Sequence, residues 1–467
     1  MKKEIPPRTQ YLLTKASSKL DSKWILLVFI MLLFGLQGCS SATKELKSES
    51  KIKSGKDITM YIATDIHYLS KELTDDGAAF NKFVSTGAGK QLGYIDEILN
   101  AFTSEFKNNK PDILIISGDL TNNGEKKSHD DIADKLVEIE KNGTSVYVIP
   151  GNHDILNPWA RGFKEDKQYV TDTISDKDFS KIYREFGYEE AITRDKNTLS
   201  YLAMPSEDVW LLMLDTNQYK DNSIIGHPQT DGEITEETYK WIKECSALAK
   251  DKGAKMITVM HHNLLNHSEV IQDGYTVNGN KEAIEEFQKN NLDLVLSGHI
   301  HIQDISSYKK DADTMYDIAT GALSVFPHQY GILEYSFEDT TFRYSTSKVD
   351  VESFSKEAGI IDKNINNFSD YSEEFFGKLA YDMAYKQLVT ADTYSKDEIK
   401  SMSETMKILN LRYFAGIENL NSKDVVNSEG LKLWSSSSQG FFKEYIMSIF
   451  EDKDTDDNNL EIKIPSK

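Results

Sequence analysis

The chain runs LDLVLSGHIH from Leu292 to His301, an apolar stretch that ends in a glycine and two histidines one residue apart. The nearly continuous apolar run predicts a strand that is covered on both faces. Alternate residues of an extended segment lie on the same side, so His299 and His301 can face one pocket. This stretch predicts an α/β fold with a polar site beyond the end of a buried strand.

Four further apolar stretches lead directly into polar residues in the same way. Ligands bind beyond the carboxyl ends of the strands in open α/β sheets, so we expect all five polar clusters to meet in one crevice. The clusters contain six of the ten histidines, and chance is a poor explanation for that. The other four clusters are Asp65-Ile66-His67 after Thr59–Thr64, Gly118-Asp119 after Ile113–Ser117, Gly151-Asn152-His153-Asp154 after Ser145–Ile149, and His261-His262-Asn263 after Lys255–Met260.

The remaining pattern predicts a layered α/β core that is followed by a helical region. One more strand is predicted at Trp210–Leu214, and helices are predicted at Leu92–Phe106, Lys126–Lys141, Glu236–Lys250 and Lys281–Lys289. Strands at Met315–Ala319, Gly331–Phe337 and Thr341–Ser347 have no helices between them, which indicates antiparallel or mixed pairing. Apolar stripes at helical spacing then predict a small helical appendage over residues 346–467.

Composition excludes several classes of protein. The 467 residues include 54 Lys+Arg against 75 Asp+Glu, a net charge of −21, which argues against binding of long nucleic acids. Two cysteines exclude a disulfide scaffold. Cys245 falls on the apolar side of a helical pattern, so we expect a small buried side chain there.

The N-terminus has the pattern of a targeting segment. A basic stretch precedes the apolar run Trp24–Leu36, which is too short to span a membrane but typical of a signal peptide over residues 1–38. The sequence Leu36-Gln37-Gly38-Cys39 resembles the lipobox of bacterial lipoproteins, and the resemblance implies lipidation of Cys39. The protein would then be extracytoplasmic and anchored to a bacterial cell membrane by its lipid, with residues 39–57 as a polar tether. An uncleaved membrane anchor is the alternative.

The donor atoms of the five clusters suit two adjacent metal ions. Carboxylate, amide and imidazole groups without a thiolate favour Mn, Fe, Zn or Co. Glycines at positions 118, 151 and 298 permit tight turns and close backbone approach at the strand ends.

The order and spacing of these clusters resemble the calcineurin-like metallophosphoesterase family. Its pattern is D-x-H, G-D, G-N-H-D/E, H and G-H-x-H, and every block is present between residues 58 and 345. The resemblance implies a four-layer α/β/β/α sandwich, in which two facing mixed β-sheets are flanked by helices. The helical region 346–467 lies beyond the part that the resemblance covers.

The resemblance also implies a site with two divalent transition-metal ions. One ion would be held by Asp65, His67 and His301, and the second by Asn152, His261 and His299, with Asp119 bridging the two. The ions outweigh the charge of the carboxylates, so the site would attract a small anion although the protein is acidic. Two such ions activate a bridging hydroxide for in-line attack on phosphorus.

Three further residues are predicted to take part in catalysis. His153 would be the acid or a phosphate-binding group, oriented by Asp154, although a structural histidine is the alternative. His262 would face the substrate or support the ligands from behind.

The substrate class follows from the resemblance alone. The D-x-H, G-N-H-D and H-H blocks are most similar to the branch with cyclic-nucleotide and glycerophosphodiester phosphodiesterases, which favours a phosphodiester. A phosphomonoesterase acting on nucleotides or phosphoproteins is the alternative, followed by a non-catalytic lipid-anchored binding protein on the same fold. Two long loops, Leu69–Gln91 and Ile155–Asp178, would form walls around the site.

The other polar features have simpler interpretations. His129 lies on a charged helical pattern and is expected to be solvated, while His227, His267 and His328 fall in loops and are expected to be exposed. The acidic segment Asp452–Asp457 lacks the glycine and glutamate of an EF-hand loop and is expected to be a solvated tail.

Overall fold

The computed structural model describes residues 49–311, 313–417, 423–451 and 456–463. The predicted signal peptide, Cys39 and the start of the tether lie outside the described residues. Within them, no helix combines the length and the apolar character that crossing a membrane requires.

The described strands build two large sheets and one hairpin. They are β1 (Ile58–Ala63), β2 (Ile113–Ser117), β3 (Ser145–Ile149), β4 (Arg161–Lys164), β5 (Lys167–Val170), β6 (Thr193–Arg194), β7 (Tyr201–Ala203), β8 (Val209–Leu214), β9 (Lys255–Met260), β10 (Leu294–Ser297), β11 (Asp304–Lys310), β12 (Asp313–Ala319), β13 (Gln329–Ser336), β14 (Thr341–Lys348) and β15 (Asn459–Lys463). The first sheet has the order β15-β14-β13-β1-β2-β3 and the second β11-β12-β10-β9-β8-β7-β6, while β4 and β5 form the hairpin.

Both large sheets are mixed. Strands β1, β2 and β3 run parallel, and β13, β14 and β15 continue that sheet by antiparallel pairing. In the second sheet β8, β9, β10 and β12 run parallel, with antiparallel strands at both edges. Five of these parallel strands, β1, β2, β3, β9 and β10, lead into the five polar clusters.

Helices lie along the chain between and after these strands. They are α1 (Ala78–Val84), α2 (Ile95–Asn109), α3 (Lys126–Lys141), α4 (Asp176–Ile182), α5 (Asn222–Ile225), α6 (Glu236–Lys252), α7 (Asn280–Lys289), α8 (Val351–Ala358), α9 (Phe368–Ala391), α10 (Lys396–Phe414), α11 (Lys423–Val426), α12 (Glu429–Ser436) and α13 (Gly440–Glu451).

The two sheets face each other across one hydrophobic core. Ile62 and Ile115 of the first sheet share this core with Leu211 and Val259 of the second, and all four side chains are buried. Helices α2 and α3 pack against the first sheet and α6 against the second. The predicted layered α/β/β/α architecture is confirmed, and its core elements begin and end within three residues of the predicted bounds.

Where the structure describes the chain after residue 350, the regular elements are helices, followed by one strand at the end. There β15 pairs with β14 and completes the first sheet, with Ile462 opposite Phe342. Asp457, which was expected in a solvated tail, is 3% exposed. That prediction was wrong for Asp457 because the segment returns to the core and pairs with it. Strand β14 itself runs to Lys348, past the boundary predicted at residue 345.

Two histidines outside the ligand motifs are buried where solvent contact was expected. His129 is fully buried because its ring lies between the Tyr183 hydroxyl, 2.8 Å from Nδ1, and the carbonyl oxygen of Asp154, 2.9 Å from Nε2. His328 is buried as well, with Nδ1 donating to the Leu323 carbonyl. Charged neighbours in sequence do not reveal these tertiary partners.

A third buried histidine, His267, carries a charge. Its ring lies between the carboxylates of Asp304 and Asp317, at 2.5 and 3.2 Å. Burial opposes protonation, but these carboxylates outweigh it and raise the pKa of His267 to about 10. The expectation of an exposed loop residue was wrong here too. Cys245 is buried as predicted.

We predict that His129 makes the metal-free protein sensitive to acid. Burial lowers the pKa of His129 to about 4, so the unfolded chain takes up a proton first as the pH falls. The contribution of neutral His129 to the free energy of unfolding is fully present above pH 6.5. It is lost as the pH falls from 6.5 to 4, and the loss is roughly 3 kcal/mol. Urea unfolding of the wild type and of His129→Gln across this window measures the effect. The variant should show the flatter pH dependence, and identical slopes would refute the assignment.

Candidate metal centre

The five polar clusters meet at the carboxyl ends of β1, β2, β3, β9 and β10. Two groups of side chains there have potential ligand atoms within 4.8 Å of one another. The first contains Asp65, His67, Asp119 and His301, and the second contains Asp119, His261 and His299. Asp119 belongs to both groups, which is the arrangement that two neighbouring ions require.

The first group gathers around one oxygen of Asp65. His301 Nε2 lies 3.3 Å and His67 Nε2 3.7 Å from Asp65 Oδ1. The two Nε2 atoms lie 3.1 Å from each other, and His67 Nε2 is 3.5 Å from Asp119 Oδ2. The His301 side chain is 21% exposed whereas the other three are buried, so this group opens to solvent beside His301.

The second group lies on the other side of Asp119. His261 Nε2 is 3.4 Å from Asp119 Oδ2 and 3.2 Å from Asn152 Oδ1. The His299 ring lies 4.8 Å from the His261 ring, measured between centroids. The structure thus brings together all seven residues that the sequence predicts as ligands.

Hydrogen bonds to the far atoms of these side chains determine which atoms face the centre. His261 Nδ1 donates to the Ser117 carbonyl at 2.9 Å, which leaves Nε2 as its ligand atom. His299 Nε2 donates to the Gly274 carbonyl at 3.0 Å, which leaves Nδ1. Asp65 Oδ2 accepts from Thr64 Oγ1 and from the His299 amide, which leaves Oδ1. Partners of this kind orient metal ligands in proteins.

The residues present fit a pair of divalent metal ions. Asp65 Oδ1 is buried without a hydrogen-bond partner among the described residues, although the ligand nitrogens of two histidines face it. A buried carboxylate oxygen without a partner is costly, and a cation at this position would remove that cost. The donor set of imidazole, carboxylate and amide groups suits first-row transition metals.

Two glycines allow the strand ends to approach this closely. Gly118 has φ of +102°, and a Cβ atom there would lie 2.6 Å from His261 Nδ1. A Cβ atom on Gly151 would lie 2.2 Å from Asp119 Oδ1. Any larger residue would therefore displace a candidate ligand, as the sequence pattern predicts.

The electrostatics of the site are dominated by burial and by Asp119. Burial favours the neutral acid, but His261 and His153 outweigh it and hold the pKa of Asp119 well below its usual range. Burial likewise opposes protonation of His261, yet Asp119 raises the pKa of His261 to about 9. The site therefore favours a positive charge between these two residues, as a metal cation would supply.

His153 faces the first group from the side. Its backbone amide donates to Asp119 Oδ1 at 2.8 Å, and its ring packs edge-on against His67. Nδ1 donates to the Asn122 carbonyl at 2.8 Å, while Nε2 has no hydrogen-bond partner among the described residues. This nitrogen remains available to a substrate. Burial lowers the pKa of His153 to about 4, although Asp119 opposes the change.

Asp154 does not orient the His153 ring, contrary to the prediction. Its carboxylate accepts hydrogen bonds from the backbone amides of Leu120, Thr121 and Gly151 and from the Thr121 hydroxyl. It thereby fixes the turn that carries Asp119. Burial, and then the Asp119 charge, raises the pKa of Asp154 to about 7.

The His262 ring bonds to residues outside the ligand cluster. Its Nδ1 lies 2.7 Å from Thr216 Oγ1, and its Nε2 donates to the Thr230 carbonyl at 2.9 Å. Both nitrogens are engaged and the ring is buried 4.6 Å from the His299 ring. Of the two predicted positions, the supporting one behind the ligands matches this placement.

Sequence patterns did not single out Lys90. This half-buried lysine precedes the last residue of the Leu69–Gln91 loop, Gln91, whose amide donates to the Ser324 carbonyl. The Ser324 hydroxyl in turn donates to the Asp65 carbonyl at 2.7 Å, so the loop end is tied to the ligand cluster. Burial lowers the pKa of Lys90, and the charges of Asp119, Glu125 and Asp65 oppose this. One lysine in a long loop carries no spacing signal that could reveal its position.

The two long loops pack on each other. Helix α1 from the first loop brings Phe80 and Phe83 against Phe163 of the β4–β5 hairpin, at 5.4 and 4.9 Å between ring centroids. At the end of the first loop, the Gln91 amide donates to the Ser324 carbonyl. In the second loop, the Asn157 side chain donates to the His153 carbonyl. The second loop thus contacts the backbone of His153, and the first loop packs on the second.

Comparison with protein families gives two matches. Residues 58–303 match the family model described as calcineurin-like phosphoesterase, and residues 350–456 match the C-terminal domain of cyclic nucleotide phosphodiesterase. No curated protein matches the chain.

Among solved structures, a dimetal phosphatase from Danio rerio is similar at 13% identity, with 62% of this chain and 95% of that chain covered and a TM-score of 0.42. The anchor protein of the inner membrane complex of Plasmodium is similar at 12% identity, with 63% and 88% covered and a TM-score of 0.33.

The first family match spans more than half of the chain and contains every candidate ligand. The chain therefore belongs to the calcineurin-like phosphoesterase family and is a metal-dependent phosphoester hydrolase.

Proposed function

We propose that this phosphoesterase hydrolyses small phosphodiesters, with cyclic nucleotides as the first class to test. The observation that carries the proposal is the match of residues 350–456 to the C-terminal domain of cyclic nucleotide phosphodiesterase. The motif blocks of the sequence favour the same branch of the family.

We propose the seven gathered side chains as the ligands of the two ions. Asp65, His67 and His301 would hold one ion, and Asn152, His261 and His299 the other, with Asp119 shared. Their donor atoms favour Mn, Fe, Zn or Co. When bound, two such ions supply Lewis-acid charge and lower the pKa of a coordinated water.

The role we propose for His153 is to hydrogen-bond the leaving oxygen of the substrate. The Asn122 carbonyl fixes its Nδ1 proton, so Nε2 is the atom that can exchange a proton with the substrate. A bound phosphate anion opposes the effect of burial on the ring and favours its protonated form. His153 would then donate that proton as the ester bond breaks.

We propose Lys90 as a further substrate-binding residue. The end of its loop is tied to the ligand cluster through Ser324 and Asp65. Lys90 would attract the phosphate group and hold it beside the metal ligands.

We retain the lipid anchor at Cys39, and with it an extracytoplasmic location, as a proposal from the sequence alone. It rests on the lipobox-like residues 36–39 and on the apolar run before them.

We predict that the wild-type enzyme, loaded with Mn²⁺, hydrolyses bis(p-nitrophenyl) phosphate and cyclic nucleotides with a higher kcat/KM than p-nitrophenyl phosphate. Lys90→Met should raise KM for the diester about tenfold, because it removes the positive charge that we propose to contact the phosphate. Lys82→Met, an exposed lysine in the same loop, is the matched control and should leave KM unchanged. A preference for the monoester would overturn the diester proposal.

We predict that the effect of His153→Asn depends on the leaving group. For an alkyl leaving group, which needs a proton, kcat should fall about a hundredfold. For p-nitrophenolate, which leaves without one, the loss should be only a few-fold. Steady-state rates across a series of diesters measure this dependence, and an equal loss for every substrate would argue that His153 has only a structural role.

A further inference from the structure

The segment that carries His299 and His301 has an unusual backbone. Both histidines have φ of +68°, in the left-handed region, with Ile300 between them. Such conformations are unfavourable for residues other than glycine and persist only where the surroundings fix them. One contact that fixes this segment comes from the catalytic core, where Asp65 Oδ2 accepts a hydrogen bond from the His299 amide at 2.9 Å. Other contacts come from the helical region after residue 350.

The first of these contacts is hydrophobic. Ile300 and Ile302, which alternate with the two histidines, are 8% and 1% exposed. They belong to one buried cluster with residues of α9, α10, α12 and α13, among them Leu388, Met402 and Trp434. The helical region therefore buries the isoleucine side of the segment while the histidine side faces the metal centre.

The second contact is polar and comes from the end of the chain. Gln303 is fully buried, and its Nε2 donates to the Asp457 carbonyl at 2.7 Å. The Ile305 amide donates to Asp457 Oδ1 at 3.2 Å. Gly416, just after α10, lies so close that a Cβ atom there would be 2.9 Å from Gln303 Cγ.

A third contact reaches His299 through the loop before α7. The Gly274 carbonyl accepts the His299 Nε2 proton, and the Tyr275 ring lies 5.2 Å from the His299 ring. Tyr275 and Ile271 of this loop pack against the hydrophobic cluster of the helical region. Tyr413 of α10 also donates to the His267 carbonyl at 3.1 Å.

We propose that the helical region after residue 350 holds the His299–His301 segment in the shape required for metal binding. Ile300, Ile302 and Gln303 are positioning residues, and Gly416 provides the space in which Gln303 lies. The inference depends on the metal ligands proposed above and is independent of the preference for diesters.

Two glycine variants of the full-length protein test this inference. Gly416→Ala adds a methyl group against Gln303, whereas Gly359→Ala adds one at a position with nothing within 4 Å. Their φ angles are +63° and +67°, so both variants carry the same backbone strain. Metal-free protein is titrated with Co²⁺, followed by calorimetry and by the visible absorption of the bound ion. We expect Gly416→Ala to lower the Co²⁺ affinity at least tenfold, as loss of an orienting partner does, and Gly359→Ala to leave it unchanged.

A second pair of variants tests the inference if Gly416→Ala does not fold. Ile302→Val and Ile446→Val each remove one methylene group from the same buried cluster, but only Ile302 adjoins a ligand. Ile302→Val should lower the Co²⁺ affinity about threefold or more, and Ile446→Val should not, at comparable losses in Tm. Equal affinities within the folded pairs overturn the inference. Failure of the wild type to bind Co²⁺ would instead overturn the ligand assignment.

Discussion

Five of the seven candidate ligands have a left-handed backbone, with φ between +46° and +68°: Asp65, His67, Asp119, His299 and His301. Each such residue costs roughly 1–2 kcal/mol relative to an ordinary conformation. The conformation turns each of these side chains sharply beyond the end of β1, β2 or β10, so that they can converge on one centre with Asn152 and His261. The rest of the structure must hold these turns, because local preference disfavours them.

Three parts of the structure share this task. The two sheets fix where the strands end, through a common hydrophobic core. Asp154 fixes the turn that carries Asp119, through bonds to three backbone amides. The helical region buries Ile300 and Ile302 and contacts Gln303, next to the second pair of histidines. The metal centre is thus built by the whole chain from β1 to β15, although the family motifs fall within its first two thirds.

The strands and the clustering of the seven candidate ligands could be predicted from the sequence because both follow from short patterns. Apolar runs predict strands, and the residues that follow parallel strands lie together at the carboxyl edge of the sheet. Tertiary contacts were not predictable in this way. Asp154 binds backbone amides rather than its neighbour His153, and the loop end next to Lys90 is tied to the ligand cluster by a contact that no sequence pattern predicts. Strand β15 was missed because a five-residue segment after an acidic run carries too little periodicity to outweigh its charge.

We propose that these seven side chains bind two metal ions on either side of Asp119. The most direct measurement is a crystal structure of the Mn²⁺-loaded protein with anomalous scattering recorded at the manganese edge. We expect two peaks, one beside Asp65, His67 and His301 and one beside Asn152, His261 and His299, with Asp119 between them. A single peak, or peaks away from these residues, would contradict the proposed ligand assignment.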